Sequence, residues 1–195
     1  MVTALLLAAG AGRRFGGAKL LAPLEDGTPL ILAAARPLLE STGDLLAVVR
    51  PEHTALQNML AREGIEWTIN PRPDRGLGSS IAHGVSTRRG SDGWLVALGD
   101  MPSIQPATVR AVAEALADGA PLAAPLYQGR RGHPVGFAKA FREELQALDG
   151  DTGAREVLAR NAPLLEPIRV DDPGILKDVD TPDDLAPAPA GRGAK

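Results

Sequence analysis

Short apolar runs alternate with amphipathic stretches along most of the chain. Buried parallel strands read as continuous hydrophobic runs, and helices show one apolar stripe. Val2–Ala8 is the first such run and predicts a buried strand. Thr28-Pro29 then opens a predicted helix, with Thr28 as N-cap and Pro29 as first helical residue, running to Glu40 and stopped by Gly43. Leu45–Val49 predicts a second strand, residues 51–62 a helix closed by Gly64, and Glu66–Ile69 a short third strand. Residues 70–78 read as a polar loop and 79–88 as a helix. Residues 94–98 are apolar without alternation, as a central strand should be.

The second half continues the pattern. Residues 106–118 predict a helix ended by Gly119. Residues 122–125 and 135–138 predict strands flanking a turn at 128–132. Residues 139–148 and 153–160 predict helices, 165–170 a late strand, and Thr181-Pro182 another helix start. Strands alternating with helices predict an α/β fold. With 195 residues and no interdomain linker, residues 1–185 are expected to form one domain. The stretch 186–195 is low in complexity and expected to be disordered.

Composition narrows the chemistry. The hydrophobic fraction is 44% with only 3% aromatics, so Ala, Leu, Val and Ile must build the core. A net charge of -3 gives no global electrostatic claim on nucleic acid or an anionic membrane. The chain has no cysteine, which excludes disulfides, thiolate metal sites and Cys nucleophiles. The apolar start lacks a basic leader and is too short to span a bilayer, so a cytoplasmic home is expected. Only four of the 21 basic residues are lysines, and one of them, Lys19, lies inside a glycine-rich loop. That placement suits a compact ammonium rather than a guanidinium.

The loop from Leu7 through Ala8, Ala9, Gly10, Gly12, Arg13 and Lys19 to Leu21 directly follows the first strand. Glycines let backbone N–H groups approach an anion, and Arg13, Arg14 and Lys19 add positive charge, so the loop can cradle a polyphosphate. A Walker A loop needs Lys straight after its last Gly, where Ala18 stands. A dinucleotide loop should feed directly into a helix, yet none is predicted before Thr28. Asp100 follows the central strand in Leu98-Gly99-Asp100-Met101-Pro102, where ligands bind α/β sheets, and its carboxylate suits Mg²⁺. Asp180, in Asp178-Val179-Asp180-Thr181-Pro182, either faces the same metal or closes a structural turn. Ser79 serves either as an N-cap or as a ligand group, and His133, before Pro134, either binds an acceptor or is a plain hairpin residue.

Taken together and in order, these motifs resemble the MobA-like NTP transferases. The resemblance runs from Leu7 to Leu185. It implies a three-layer α/β/α sandwich around a mostly parallel sheet, one late strand antiparallel, in the Rossmann-like nucleotide-diphospho-sugar transferase fold. It implies that Leu7, Ala8, Ala9, Gly10, Gly12, Arg13 and Lys19 hold the NTP, that Gly78, Ser79 and Ser80 lie near base and ribose, and that Asp100, with Asp180, holds Mg²⁺. Arg13, Lys19 and Asp100 would be catalytic, and His133 and Arg155 would face the acceptor. The pair Ala8-Ala9 before Gly10 is similar to the CTP-using branch, which implies CTP and a molybdopterin acceptor, with a molybdoenzyme or chaperone as partner. GTP as donor, a sugar phosphate as acceptor, and a non-catalytic nucleotide-binding accessory role stay open.

Overall fold

The computed structural model describes residues 1–10, 15 and 18–185. The expectations placed on Gly12, on Arg13 and on the tail 186–195 lie outside the described residues. One mixed sheet runs through the molecule in the order β3-β2-β1-β4-β7-β5-β6, with β8 paired to β5. The strands are β1 (Val2–Ala8), β2 (Leu45–Val49), β3 (Glu66–Ile69), β4 (Gly93–Leu98), β5 (Leu122–Tyr127), β6 (Arg130–Arg131), β7 (Val135–Ala138) and β8 (Leu165–Arg169). Strands β3, β2, β1 and β4 are mutually parallel, while β7 runs antiparallel between β4 and β5. Strand β6 likewise runs antiparallel to β5. Strand β8 pairs parallel with β5.

Helices cover both faces. Helices α1 (Leu30–Thr42), α2 (Thr54–Arg62) and α4 (Pro106–Ala117) bury Ile31, Leu60 and Val109 against Ala4, Leu6 and Ala8 of β1. Helices α3 (Leu77–Thr87), α5 (Arg142–Gln146) and α6 (Arg155–Arg160) bury Ile81, Leu145 and Val157 against Leu5 and Leu7. Alternate residues of β1 thus feed two cores, the period-two rule of a strand buried on both sides. Trp94 and Phe137 are fully buried in the second core, where Phe137 meets Phe141 edge to face at 6.3 Å. Among the described residues no helix is long and apolar enough to cross a membrane.

Several helix boundaries differ from expectation. Helix α1 starts at Leu30 with Pro29 as its N-cap, and no side chain caps it. The chain turns earlier, because the Asp26 carboxylate already takes the Thr28 N–H at 2.9 Å. Gly43 ends α1 in the left-handed conformation at φ 67°, as expected. Helix α3 starts at Leu77 with Gly76, not Ser79, as its N-cap, and α6 is capped by Ala154. The stretch predicted as a helix at 139–148 opens as a 3-10 turn, Lys139–Phe141, before α5 begins. Thr181-Pro182 leads into a 3-10 turn, Pro182–Leu185, rather than an α-helix.

Candidate active site

Chain direction places the site. From β1 the strands step outward to β2 and β3, and the chain then crosses back by α3 to β4 on the other side of β1. The carboxyl ends of β1 and β4 therefore part at a switch point, where open α/β sheets bind ligands. Gly99 leaves β4 there and donates its N–H to the Leu7 carbonyl at 3.0 Å. A Cβ at Gly99 would sit 2.9 Å from Ile31 Cδ1 and 3.1 Å from the Leu7 carbonyl oxygen, so a small residue suits this close approach.

Three charged groups meet at this point. Lys19 lies in a 3-10 turn, Lys19–Leu21, which returns from the glycine loop over the end of the sheet. Its Nζ donates to Asp100 Oδ2 at 2.9 Å and to Asp180 Oδ1 at 3.3 Å. The lysine side chain is 10% exposed, against 27% for Asp100 and 48% for Asp180. Desolvation alone would lower the lysine pKa. The hydrogen bonds and charges of Asp100 and then Asp180 outweigh it, and the pKa lies above the ordinary lysine value.

Asp100 Oδ1 is buried and has no hydrogen-bond partner among the described residues. A carboxylate oxygen held dry without a donor is costly, and a hard cation is the partner that suits it. Among the described residues no cluster of three or more acidic or His side chains could hold a metal. Two carboxylates are enough for an ion that takes its other oxygens from substrate phosphates and water.

Asp180 reaches this centre from the far end of the chain. Asp172 is 1% exposed and accepts from Gln105 N, Thr108 Oγ1 and Gly174 N. A Cβ on Gly174 would collide with the Ser103 carbonyl, and one on Gly132 with that of Ile175. Val179 N–H then donates to the Asp100 carbonyl at 2.9 Å. Asp184 closes the turn beyond by accepting from Asp180 N and Thr181 N, and these bonds keep its carboxyl below the usual range. The 172–184 segment is thereby strapped across the site, and Asp180 both belongs to a turn and touches Lys19.

Two clefts share Leu98 at the end of β4, and the larger of them is also bordered by Asp100. The larger, of about 610 Å³, is bordered by Leu7, Ala9, Gly10, Arg50, Asp74 and Ser80. The smaller, of about 200 Å³, has an apolar wall including Val96 and Phe137, with Arg131, His133 and Arg155 at its polar side. His133 faces the Val96 carbonyl through Nδ1 at 3.5 Å. Burial holds its pKa below the ordinary histidine value against the opposing pull of the Val96 carbonyl and Asp100.

Some expected residues lie elsewhere than the cleft lining. Gly78 backs onto Asp149, and its N–H donates to the Gly150 carbonyl at 2.9 Å. The Ser79 hydroxyl donates toward the Arg72 and Gly76 carbonyls at 2.9 and 2.8 Å. Ala8 is 1% exposed. His83 shares a 2.9 Å hydrogen bond with Thr68. The sequence reading missed Arg50 and Asn70. Both stand directly after parallel strands, β2 and β3, as Asp100 stands after β4. The same rule would have found them. Asn70 is 2% exposed and donates to Ser79 and Ser80 Oγ at 2.9 and 3.1 Å.

Residues 4–164 match a family model described as MobA-like NTP transferase domain. The chain is 30% identical over 189 residues to nicotine blue oxidoreductase of Paenarthrobacter nicotinovorans, covering 92% of each chain. It is 26% identical over 188 residues to molybdenum cofactor cytidylyltransferase of Escherichia coli K12, covering 96% of this chain and 95% of that one. Among solved structures, Rv0371c of Mycobacterium tuberculosis aligns with TM-score 0.82 at 26% identity over 94% of each chain. Rv0371c in complex with manganese aligns at 0.78 and 25% identity, over 94% of this chain and 95% of that one. The architecture is the nucleotide-diphospho-sugar transferase fold.

Proposed function

This chain belongs to the MobA-like NTP transferase family, and from that premise we propose that it transfers CMP from CTP to the phosphate of a molybdopterin-type acceptor, releasing pyrophosphate. The observation that carries the reading is the buried Lys19 between Asp100 and Asp180, with Asp100 Oδ1 left without a donor.

In this reading an acceptor phosphate oxygen attacks the α-phosphorus in line. A P–O bond forms there while the bond to the β-phosphate oxygen breaks, and pyrophosphate carries away the electron pair. Asp100 and Asp180 would hold Mg²⁺, which when bound neutralises triphosphate oxygens. Lys19 supplies a fixed ammonium against charge growing on the leaving pyrophosphate, and Arg13 is assigned to the same task by family resemblance. Leu7, Ala9 and Gly10 lie under the nucleotide, and Gly12, Gly78, Ser79 and Ser80 keep the nucleotide role implied by the family. His133 and Arg155 border the smaller cleft, which suits a flat acceptor ring with an anionic end. Catalysis is positioning and electrostatics, with no covalent enzyme intermediate. The cysteine-free sequence and the phosphorylated substrates fit work in the cytoplasm, with a molybdoenzyme or its chaperone receiving the product.

The test is pyrophosphate release from CTP with molybdopterin and Mg²⁺, comparing wild type with Asp100→Ala. Losing one charge-stabilising group of this kind costs roughly 10²–10³ in rate. A variant within roughly threefold of wild type would remove Asp100 from the mechanism. A pure binding module would hold CTP and the metal yet release no pyrophosphate.

The nicotine blue oxidoreductase relative supports a second reading, an oxidoreductase built on the same cleft. Turnover of a nicotinamide cofactor with no NTP present would favour it.

A further inference from the structure

A third cleft, of about 380 Å³, lies on the side of α3 turned away from the sheet. Ala82, His83 and Ser86 border it, while Ile81 and Val85 of the same helix face the core. No residue borders both this outer cleft and the larger one at the sheet end. Residues 70–80 form the wall between them. Asp74, Gly76 and Ser80 border the larger cleft, and Arg72, Arg75 and Ser79 the outer one. Neither of these arginines takes part in the transfer step.

Both arginine side chains are exposed, but the backbone that carries them is fixed. The Arg72 N–H donates to Asn70 Oδ1 at 2.9 Å, and the Arg72 carbonyl accepts from Ser79 Oγ at 2.9 Å. The Arg75 N–H donates to the Arg72 carbonyl at 3.1 Å, and the Arg75 carbonyl accepts from the Gly150 N–H at 2.8 Å. A Cβ on Gly76 would collide with the Gly150 carbonyl, so the segment is wedged against the turn at 149–151. A ligand binding here would have little backbone left to order.

The charge is unbalanced. Arg75 Nη2 pairs with Asp149. The Asp149 carboxyl lies below its usual range, held there first by that hydrogen bond and, more weakly, by the charges of Arg75 and Arg72. Both cations therefore stand beside one carboxylate. Among the described residues Arg72 has no ion-pair partner. The cleft thus holds an excess of positive charge in a chain whose net charge is -3. The Arg75–Asp149 pair is 51% and 46% exposed, so it contributes little and gives way readily to a stronger anion.

We propose that the outer cleft is a second ligand site, taking a phosphate-bearing anion between the Arg72 and Arg75 guanidiniums. A guanidinium fork matches the oxygens of a phosphate, and two forks suit a dianion better than a single carboxylate. The Ser86 hydroxyl at the same cleft has no hydrogen-bond partner among the described residues and can add a donor. Small-molecule sites run to about 300–1,000 Å³, so an ester of phosphate fits here as well as the free ion. The inference is independent of the nucleotidyltransferase reading, because it uses none of that site's groups.

The experiment follows backbone amide shifts of the isotope-labelled full chain by NMR. Inorganic phosphate and glycerol phosphate are titrated separately, against sodium chloride at matched ionic strength. Amides of Ala82, Ser86 and Gln146 should shift and saturate with phosphate but not with chloride. In the double variant Arg72→Gln, Arg75→Gln, whose folding the same spectra report, the affinity read at these amides should fall roughly 10-fold or more. Lys19→Met should leave it unchanged, which separates this site from phosphate held at the catalytic end. Tighter binding of glycerol phosphate assigns an ester as the ligand, and equal binding assigns the free ion. Amides that move no further than in chloride, that respond with equal affinity in the double variant, or that lose their response in K19M overturn the inference. None of these results touches the nucleotidyltransferase reading.

Discussion

Replacing Lys19 by Met removes the ammonium and keeps the length of the side chain. Asp100 and Asp180, which share that ammonium at 2.9 and 3.3 Å, would then face each other without it. Deleting one partner of a fully buried ion pair costs about 3–5 kcal/mol. Here Asp100 is 27% and Asp180 48% exposed, so water screens part of the loss. Discounting for that gives about 2 kcal/mol. In a chain of this size each kcal/mol moves Tm by about 2–4 °C, so K19M should melt about 4–8 °C below wild type in EDTA. A divalent cation should restore much of this, because the two carboxylates no longer have a competing cation. Thermal melts of both proteins in EDTA and across a Mn²⁺ titration measure the effect. Activity should fall even where stability recovers, since the metal replaces the charge on the carboxylates but not the ammonium at the leaving group. A variant that melts with wild type in EDTA, or that gains no more from Mn²⁺ than wild type does, would refute the shared-cation account.

Two further outcomes follow from the geometry. His133 and His83 both have folded pKa values below the ordinary histidine value because burial disfavours the imidazolium. The unfolded chain therefore binds more protons below about pH 6.5, so their stabilisation is present above that pH and lost as pH falls. Urea unfolding in EDTA should show this acid loss, and His133→Gln should reduce its slope relative to wild type; an unchanged slope would remove His133 from it. Gly174→Ala should destabilise by about 1–3 kcal/mol and lower activity, because its Cβ meets the Ser103 backbone and must push the strap that carries Asp180. Gly90→Ala, with nothing within 4 Å, is the control and should melt with wild type.

Much of the fold was legible because its strands are buried on both faces. Leu45–Val49 is an uninterrupted apolar run and Val2–Ala8 is broken only by Thr3, a pattern that suits strands covered on both sides. Gly43 and Gly64 stopped their helices where positive φ was needed, at 67° and 69°. Asp100 could be picked out because one local fact, a carboxylate just past a central strand, coincides with a global rule about where α/β sheets bind. Lys19 stood out as a lone ammonium in a glycine loop. Caps were read worst. Ser79 and Thr28 are ordinary capping types, but their partners depend on where the preceding turn lies, and tertiary contacts set that.

What sequence could not decide is which distant groups share a point in space. Asp180 was left between turn and ligand, and the folded chain puts it in a turn and against Lys19. Asp184 holds its backbone while Lys19, 161 residues away, takes its carboxylate. Arg50 drew no notice as one arginine among many. Its meaning comes from the burial of β2, which brings its guanidinium between Ala9, Glu52 and Asp74. Local periodicity and glycine placement act within a few residues and are written in the order of the chain. Charge pairing, desolvation and the line of a cleft arise between strands adjacent in the sheet but far apart in sequence. For this protein the sequence alone determined the layers and where their ends must lie; only the tertiary structure decided which charges meet there.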